Sequence, residues 1–371
     1  MFDVLIAGAG PAGAAAARTL ASVAPDLRVA VVAPVEKRAE KQRRRGEVLS
    51  PLAQPVLRQL GLWSSFLAQG FAPSHRTFTA WGDAGLRSNE LMLEARGPAW
   101  RIDRALFDGW IASAACPAAT RIDARVVGLE REIDGWSIDC DNGRHGARLV
   151  IDATGRANAL ARRMGNGAKA HDRLVAAYAE ATVCEQATPE LLVEAFDDGW
   201  WYTMSLGEGV LGEGRRAFVC LTDSDIARGL RLNLQRGWRA ALDKAPFTAA
   251  IASRVERFET PRLMPAGGRH AALPTGFRFL CAGDAANAFD PISGHGVVKA
   301  MRSGIFAAYA ATDCLVRQDD KALGRYGAWI ARETAAYEAA LREHYGSEAR
   351  WAGRLFWRRR AGTSFDGLSH Q

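Results

Sequence analysis

Glycine-bearing turns are the part of this sequence whose residue types and spacing suggest chemistry most clearly. The first turn, Gly8-Ala9-Gly10-Pro11-Ala12-Gly13, follows an apolar run from Phe2 to Ala7 and precedes an alanine-rich stretch. Gly8 allows the tight bend, Gly10 lets the backbone approach a pyrophosphate, and Gly13 lets a helix pack on a strand. Free N–H groups at the start of that helix favour a phosphate. The pattern therefore predicts a dinucleotide-binding βαβ unit.

Two later turns have the composition of binding loops. Ile151-Asp152-Ala153-Thr154-Gly155 ends an apolar strand, and Cys281-Ala282-Gly283-Asp284-Ala285-Ala286 ends another. Asp284 is placed to accept hydrogen bonds from a sugar-alcohol chain. Farther on, the loop from Pro291 to Gly296 leads into a helix, so the backbone N–H groups of this loop are placed to face an electron-rich ring edge. Phosphate- and polyol-binding turns at the beginning, middle and end of the chain predict one long cofactor, and they favour FAD over NAD.

The adenosine end of this site departs from the usual pattern. An acidic residue is expected at the end of the second strand, where it holds the ribose hydroxyls. Ala33-Pro34 occupy that place here, and Glu36 comes slightly later. Either Glu36 reaches back to the ribose, or backbone groups and water hold it.

The combined motifs resemble a known superfamily. The set Gly8 to Gly13, Arg45-Gly46-Glu47, Arg104, the DATG turn and GDA…DPxSGxG resembles the FAD-dependent superfamily of aromatic hydroxylases, geranylgeranyl reductases and flavin-dependent halogenases. The resemblance covers most of residues 1–320. It implies that the first turn and Arg104 hold the diphosphate, with Asp284 on the ribityl chain. The cofactor-binding residues that it implies are Gly8, Gly10, Ala12, Gly13, Arg45, Arg104, Val126, Gly155, Gly283, Asp284, Pro291, Gly294 and Gly296.

A narrower resemblance concerns the substrate side. Gly199-Trp200-Trp201-Tyr202 and the C-terminal residues Tyr345 to Arg359 resemble halogenase-like monooxygenases, some of which act on tryptophan side chains within proteins during tryptophylquinone maturation. Trp200, Trp201 and Tyr202 are then candidates for an aromatic wall over the flavin, or else they are sheet core.

Catalytic candidates on the flavin side are His295, Glu47 and Trp201. His295 is either an acid or base near the ring or a loop histidine bonded to backbone. Glu47 is either catalytic or a structural group that bonds backbone near the flavin. Trp201 would contribute to the aromatic wall.

The missing lysine argues against halogenation. The resemblance implies that a tryptophan halogenase needs a lysine shortly after the Gly-Glu motif, and no lysine occurs from Gln42 to Gly167. Arg76 cannot replace it, because a guanidinium stays protonated and is a poor nucleophile. We therefore expect an FAD-dependent monooxygenase that hydroxylates an aromatic, indole-like substrate through a flavin C4a-hydroperoxide. The alternatives are a reductase or dehydrogenase of carbon–carbon bonds and a non-catalytic flavoprotein chaperone.

Several partners follow from these expectations. The substrate is either a small aromatic molecule or a residue within a protein, and the electron source, a reductase or NAD(P)H, stays open. The C-terminal aromatic residues and arginines predict either packing against the FAD domain or a docking surface for a partner protein.

Composition excludes other classes. The chain has 371 residues, 48% of them hydrophobic, and a formal net charge of +7. It has no apolar run long enough for a membrane span and no export signal, so we expect a cytoplasmic protein. Its six cysteines are scattered, and without ligand spacing they predict no metal site. The positive charge accompanies no nucleic-acid-binding motif, so no nucleic acid partner is expected.

The elements that position these residues are those of an α/β fold. We predict a Rossmann-type FAD-binding domain formed by residues 1–72, 101–169 and 269–318. An antiparallel β-sheet substrate domain is inserted at residues 73–100 and 170–268, and a C-terminal helical segment spans residues 319–371. Helices are predicted over Arg104 to Ala115, Leu230 to Ala250 and about Gly296 to Leu315. Hairpin turns are predicted at Asp134-Gly135 and Asn142-Gly143.

Overall fold

A computed structural model describes residues 1–34, 46–90, 97–115, 118–170, 172–183, 191–208 and 214–361. Its strands are β1 (Phe2–Ala7), β2 (Val29–Val32), β3 (Gly46–Leu49), β4 (Ala72–Ser74), β5 (Arg76–Ala80), β6 (Arg87–Glu90), β7 (Ala99–Asp103), β8 (Thr120–Ile122), β9 (Val126–Arg131), β10 (Trp136–Cys140), β11 (Gly143–Asp152), β12 (Ala168–Ala170), β13 (Leu174–Val183), β14 (Leu191–Phe196), β15 (Gly199–Glu208), β16 (Gly214–Asp223), β17 (Val255–Phe258), β18 (Arg262–Pro265), β19 (Arg269–Ala271), β20 (Thr275–Gly276), β21 (Phe279–Cys281) and β22 (Asn287–Ala288). Its helices are α1 (Pro11–Val23), α2 (Ala53–Gln59), α3 (Trp63–Leu67), α4 (Arg104–Ala115), α5 (Ala159–Arg163), α6 (Ser224–Gly229), α7 (Gln235–Leu242), α8 (Pro246–Ala252), α9 (Gly296–Leu315), α10 (Ala322–Gly346) and α11 (Leu355–Ala361).

A parallel sheet in the order β21-β11-β1-β2-β8 is the centre of the FAD-binding part. Ala7 pairs with Val32 on one side and with Asp152 on the other, and Asp152 pairs with Cys281. The carboxyl ends of these parallel strands therefore lie along one edge of the sheet. In open α/β sheets, a ligand binds in the crevice at that edge.

Helices α1 and α9 cover this sheet and lie against each other. A side chain at Gly304 of α9 would collide with the backbone carbonyl of Ala12, so this glycine lets the two helices approach closely. Pro11 is the first residue of α1, where a backbone N–H has no acceptor within the helix. The N–H that proline lacks therefore costs the helix no hydrogen bond. The contact fixes the start of α1 beneath the turn that follows β1.

A large, mostly antiparallel sheet forms the second layer, in the order β17-β13-β16-β15-β14-β5-β6, with β18 beside β13. Its strands pair antiparallel except β14 and β5, which run parallel. One of its faces packs on α6, α7 and α8 around the buried ring of Trp238. The other face packs on the C-terminal helices and includes Trp200 and Tyr178. The predicted α/β class, with a Rossmann-type FAD-binding sheet and separate antiparallel sheets, is confirmed.

Local predictions agree with the structure at several elements. Helix α4 and helix α9 have the predicted bounds. The hairpin turns join β9 to β10 and β10 to β11 in antiparallel pairs. The predicted helix from Leu230 to Ala250 is instead two helices, α7 and α8, because Pro246 lacks an N–H and begins a new helix. Among the residues described, no helix is long and apolar enough to cross a bilayer.

Candidate cofactor and substrate site

A cavity of about 1220 Å³ lies at the carboxyl edge of the parallel sheet and extends to the antiparallel sheet. The turns after β1, β11 and β21 line one part of it, and β14, β15 and β16 line another. Predicted residues on its walls are Gly8, Gly10, Ala12, Glu47, Arg104, Val126, Gly155, Asp284, Pro291, Gly294 and Gly296. One cavity thus brings together most of the residues that the sequence singled out.

The other predicted residues lie elsewhere. Gly13 and Gly283 are packed beneath the lining, where a side chain on Gly13 would strike the carbonyl of Gly8 and one on Gly283 would press on Ala12. His295 is exposed and is not among the lining residues. Arg45, like Glu36, lies outside the described residues.

Glu47 is an ion-pair partner of Arg104. Arg104 Nη1 lies 2.5 Å from Glu47 Oε2, and its Nη2 lies 3.2 Å from Asp108 Oδ2. Burial alone would lower the pKa of Arg104, but the charges of Glu47 and Asp108 outweigh it and raise that pKa well above its ordinary value. The geometry therefore shows Glu47 holding the guanidinium of Arg104 at the cavity wall.

Asp152 of the DATG turn has a structural task that its sequence position did not reveal. Its carboxylate accepts hydrogen bonds from the N–H groups of Thr154, Leu160 and Ala161 at 2.9–3.0 Å, and also from the Thr154 hydroxyl. Asn158, with φ of 46°, donates from Nδ2 to the carbonyl of Ala285 at 2.6 Å. These buried contacts join the DATG turn to helix α5 and to the turn after β21.

Lys299 is a functional candidate that the sequence did not indicate. Its Nζ lies 2.8 Å from Asp284 Oδ1, donates to the carbonyl of Asn287, and sits 4.7 Å from the ring centroid of Phe289. The lysine side chain is 6% exposed, whereas Asp284 is about one-third exposed and faces the cavity. A buried cation therefore orients the carboxylate predicted to bind the sugar-alcohol chain. The available signal was a lone lysine among the otherwise apolar first six residues of α9.

The loop from Asp290 to Gly296 is fixed by its own hydrogen bonds. Asp290 Oδ1 accepts from the N–H of Ile292, and the N–H of Gly294 donates to the carbonyl of Pro291. The N–H of His295 donates to the Ser293 hydroxyl. The expectation that the N–H groups of this loop face a ring edge is therefore wrong for Ile292, Ser293, Gly294 and His295, whose N–H groups bond within the loop. The open groups are those of the first turn of α9, beginning at Gly296.

Strand alternation decides which aromatic residues face the cavity. Trp200, Tyr202 and Met204 of β15 line it, together with Leu191 and Val193 of β14. Trp201 points to the opposite face and packs edge-on against Trp238 at 5.1 Å between ring centroids. The expectation that Trp201 belongs to the aromatic wall is therefore wrong, because adjacent strand residues face opposite sides of a sheet.

Residues 1–315 match the family model described as an FAD binding domain. The chain belongs to this FAD-binding family. Its predicted cofactor, FAD, and its predicted class, an FAD-dependent oxidoreductase, are thereby confirmed. The chain is 30% identical over 383 aligned residues to LodB of Marinomonas mediterranea, which is named as an FAD-dependent oxidoreductase. That alignment covers 100% of this chain and 99% of LodB.

Two solved structures share the fold of this FAD-binding protein. The flavin-dependent halogenase CmlS matches with a TM-score of 0.83 and 21% identity, over 98% of this chain and 68% of CmlS. QhpG, a peptidyl tryptophan dihydroxylase essential for tryptophylquinone cofactor biogenesis, matches with a TM-score of 0.71 and 22% identity. That match covers 97% of this chain and 79% of QhpG. The predicted membership of the flavoprotein superfamily is confirmed.

The backbone of the cavity fits FAD. Gly10, Gly155, Gly294 and Gly296 line it, and each faces open space where a first side-chain carbon would stand. Bare backbone therefore borders the cavity next to the start of α1, beside the DATG turn and before α9. The first-turn N–H groups of α1 suit a diphosphate, and Asp284 is placed for hydroxyl groups. At the adenosine end, Ala33 and Pro34 line the wall as the sequence predicts.

The C-terminal helices of the FAD-binding protein pack against the large antiparallel sheet. Tyr345, Phe356 and Trp357 are buried, and Trp357 Nε1 donates to the carbonyl of Phe196 at 2.9 Å. The arginines are paired as well, with Arg354 on Asp197 and Asp198, and with Arg359 and Arg360 on Asp223. The sequence predicted either packing or a docking surface for this segment, and these contacts agree with packing.

Proposed function

We propose that this FAD-binding protein is a monooxygenase that hydroxylates an indole-like aromatic substrate. The observation that carries the proposal is the aromatic and apolar end of the cavity, which adjoins the Asp290 to Gly296 loop. Trp200, which is 1% exposed, and the more accessible Tyr202 line that end, and Met204 and Leu221 complete an apolar wall. Such a surface favours a flat aromatic ring through stacked or edge-on contacts.

The chain's own residues bind, orient and shield, while the cofactor performs the oxygen chemistry. The chemistry that bound, reduced FAD would supply is the activation of O₂ for delivery of an electrophilic oxygen atom. One oxygen atom enters the aromatic ring and the other leaves as water, with two electrons and two protons taken from a reduced nicotinamide or a reductase. Apolar residues such as Leu191 and Val193 exclude water from the reacting ring. The first-turn N–H groups of α9, from Gly296, favour negative charge on the reduced ring.

Halogenation is the weaker interpretation. A halogenating site needs a lysine between flavin and substrate, and none of the described cavity-lining residues is a lysine. The sequence also has none from Gln42 to Gly167. Lys299 is engaged with Asp284 and the carbonyl of Asn287 behind the wall. These contacts support hydroxylation over halogen transfer.

A tryptophan residue within a protein is the form of substrate that we propose to test first. Support comes from QhpG, a peptidyl tryptophan dihydroxylase with a similar fold. The experiment incubates FAD-loaded, chemically reduced protein in air with indole, with a tryptophan-containing peptide and with the same peptide carrying leucine instead. We expect the tryptophan peptide to gain oxygen by mass spectrometry and to raise the fraction of O₂ that enters product.

The same assay, repeated with an isoprenoid substrate and with added halide, separates the alternatives. Reduction of an isoprenoid double bond without O₂ uptake would replace the proposal by a carbon–carbon reductase. Tight peptide binding with neither oxygen incorporation nor reduction would favour a chaperone. A brominated or chlorinated indole, formed only when halide is added, would overturn the argument from the missing lysine.

A further inference from the structure

Two tyrosines of helix α10 reach the loop that borders the flavin site. The Tyr337 hydroxyl accepts a hydrogen bond from the backbone N–H of Asp290 at 2.6 Å, and its ring lies parallel to Phe289 at 3.8 Å between centroids. The Tyr345 hydroxyl donates to Asp290 Oδ2 at 2.8 Å. Asp290 therefore has its backbone and its carboxylate held by side chains of a helix far along the chain.

Tyr345 also holds the aromatic wall. Its hydroxyl oxygen accepts a hydrogen bond from Trp200 Nε1 at 2.9 Å. Trp200, Asp290 and Tyr345 are each at most 2% exposed, so water does not replace a lost partner easily. One hydroxyl group thus joins the substrate wall, through Trp200, to the flavin-bordering loop, through Asp290.

The charges around Asp290 show that this connection is electrostatically sensitive. Burial raises the pKa of Asp290 to about 6, and the neighbouring Asp172 acts in the same direction. The N–H of Ile292, the guanidinium of Arg360 and the Tyr345 hydroxyl favour the ionised form. Arg156, on the other side of the cavity, also interacts with this carboxylate. Loss of the Tyr345 hydroxyl would leave a buried carboxylate with one donor fewer, which is costly in a protein interior.

We propose that Tyr345 is a positioning residue that holds the flavin-bordering loop and the Trp200 wall in a fixed relation. The C-terminal segment then completes the redox site, although it lies outside residues 1–315, which match the family model. This role goes beyond hydroxylation and requires only that FAD bind. Its test therefore needs no substrate, so it fails or succeeds independently of the proposed function.

The test is Tyr345→Phe in the full chain loaded with FAD. Phenylalanine keeps the ring that packs on Phe356 and Trp357 and removes only the hydroxyl. We expect the dissociation constant of FAD, from fluorescence titration, to rise about three- to tenfold, the effect of a net hydrogen bond. We also expect a more negative midpoint potential, because the loop no longer holds the first turn of α9 in place against the reduced ring.

Tyr309→Phe is the matched control. Tyr309 is 38% exposed and bonds only to Gln59 at 3.4 Å among the contacts described, so both readouts should keep their wild-type values. In an Asp290→Asn background, Tyr345→Phe should have a smaller effect on the potential, since the two groups act together. A variant that loses thermal stability as apoprotein but keeps the wild-type FAD affinity and potential would overturn the proposal. If Tyr345→Phe does not fold, Tyr337→Phe tests the same loop through its other tyrosine, with the same two readouts deciding.

Discussion

Asp290 is a carboxylic acid buried at the cavity wall, and its protonation is linked to folding. Burial raises its pKa from an ordinary value of 3.8 to about 6. A group whose pKa is raised in the folded state stabilises that state below its unfolded pKa and loses this contribution as pH rises through the folded value. The wild-type protein should therefore lose stability from this residue between about pH 4 and about pH 6.

Asp290→Asn removes this ionisation. As pH rises from about 4 to about 8, the free energy of unfolding of the variant should increase relative to that of wild type by about 2–3 kcal/mol, so the variant becomes relatively more stable. Urea unfolding at a series of pH values measures the difference. Asp26→Asn, at an exposed position, should leave the pH dependence unchanged. A constant difference between Asp290→Asn and wild type at every pH would show that Asp290 titrates normally.

Strand β15 shows how a secondary-structure element determines which side of the sheet each of its side chains faces. Trp200 and Trp201 are adjacent and both buried, yet one lines the cavity and the other belongs to the core around Trp238. We predict that Trp200→Phe weakens the binding of indole to the FAD-loaded protein about two- to tenfold, the range for one aromatic contact. Trp201→Phe should leave indole affinity unchanged and lower the stability of the fold, because it removes packing volume from the core.

Titration of the flavin absorbance with indole measures these affinities, and thermal unfolding measures the stability of each variant. Because each substitution replaces the same residue type by the same smaller ring, each variant serves as the other's control. Equal losses of indole affinity in both variants would contradict the assignment of the two faces.

The elements were predictable where local chemistry determines them. Helix α9 begins after a glycine-bearing turn and runs through an alanine-rich stretch, so its bounds follow from the sequence. The sequence could not predict which side of the sheet Trp200 faces, because adjacent residues of a strand face opposite sides. Either alternate set of β15 side chains could have formed the cavity wall. The contacts of Lys299 and Tyr345 depend on tertiary structure. Tyr345 lies 145 residues from Trp200 and 55 from Asp290, and no local pattern indicates such a pairing.

At the scale of the whole molecule, the C-terminal segment contacts both the FAD-binding sheet and the antiparallel sheet. On the FAD-binding side, the Tyr326 hydroxyl donates to the carbonyl of Cys281 at 2.7 Å. On the side of the antiparallel sheet, Arg359 and Arg360 pair with Asp223 at 2.7 and 2.8 Å. Asp223 is 2% exposed and ends β16, an interior strand of the antiparallel sheet. The segment thus links the parallel sheet of the FAD-binding part to the antiparallel sheet.

Asp223→Asn tests this link at the scale of the molecule. Loss of the carboxylate leaves the buried guanidinium of Arg360 without its partner, and breaking a buried ion pair costs about 3–5 kcal/mol. Urea unfolding followed by tryptophan fluorescence should show that loss, whereas Asp320→Asn, at an exposed position, should stay near wild type. Because the same segment carries Tyr345, flavin release should move to lower urea together with the tryptophan signal. Unchanged flavin release in a clearly destabilised variant would mean that the C-terminal segment stabilises the antiparallel sheet alone and does not support the cofactor site.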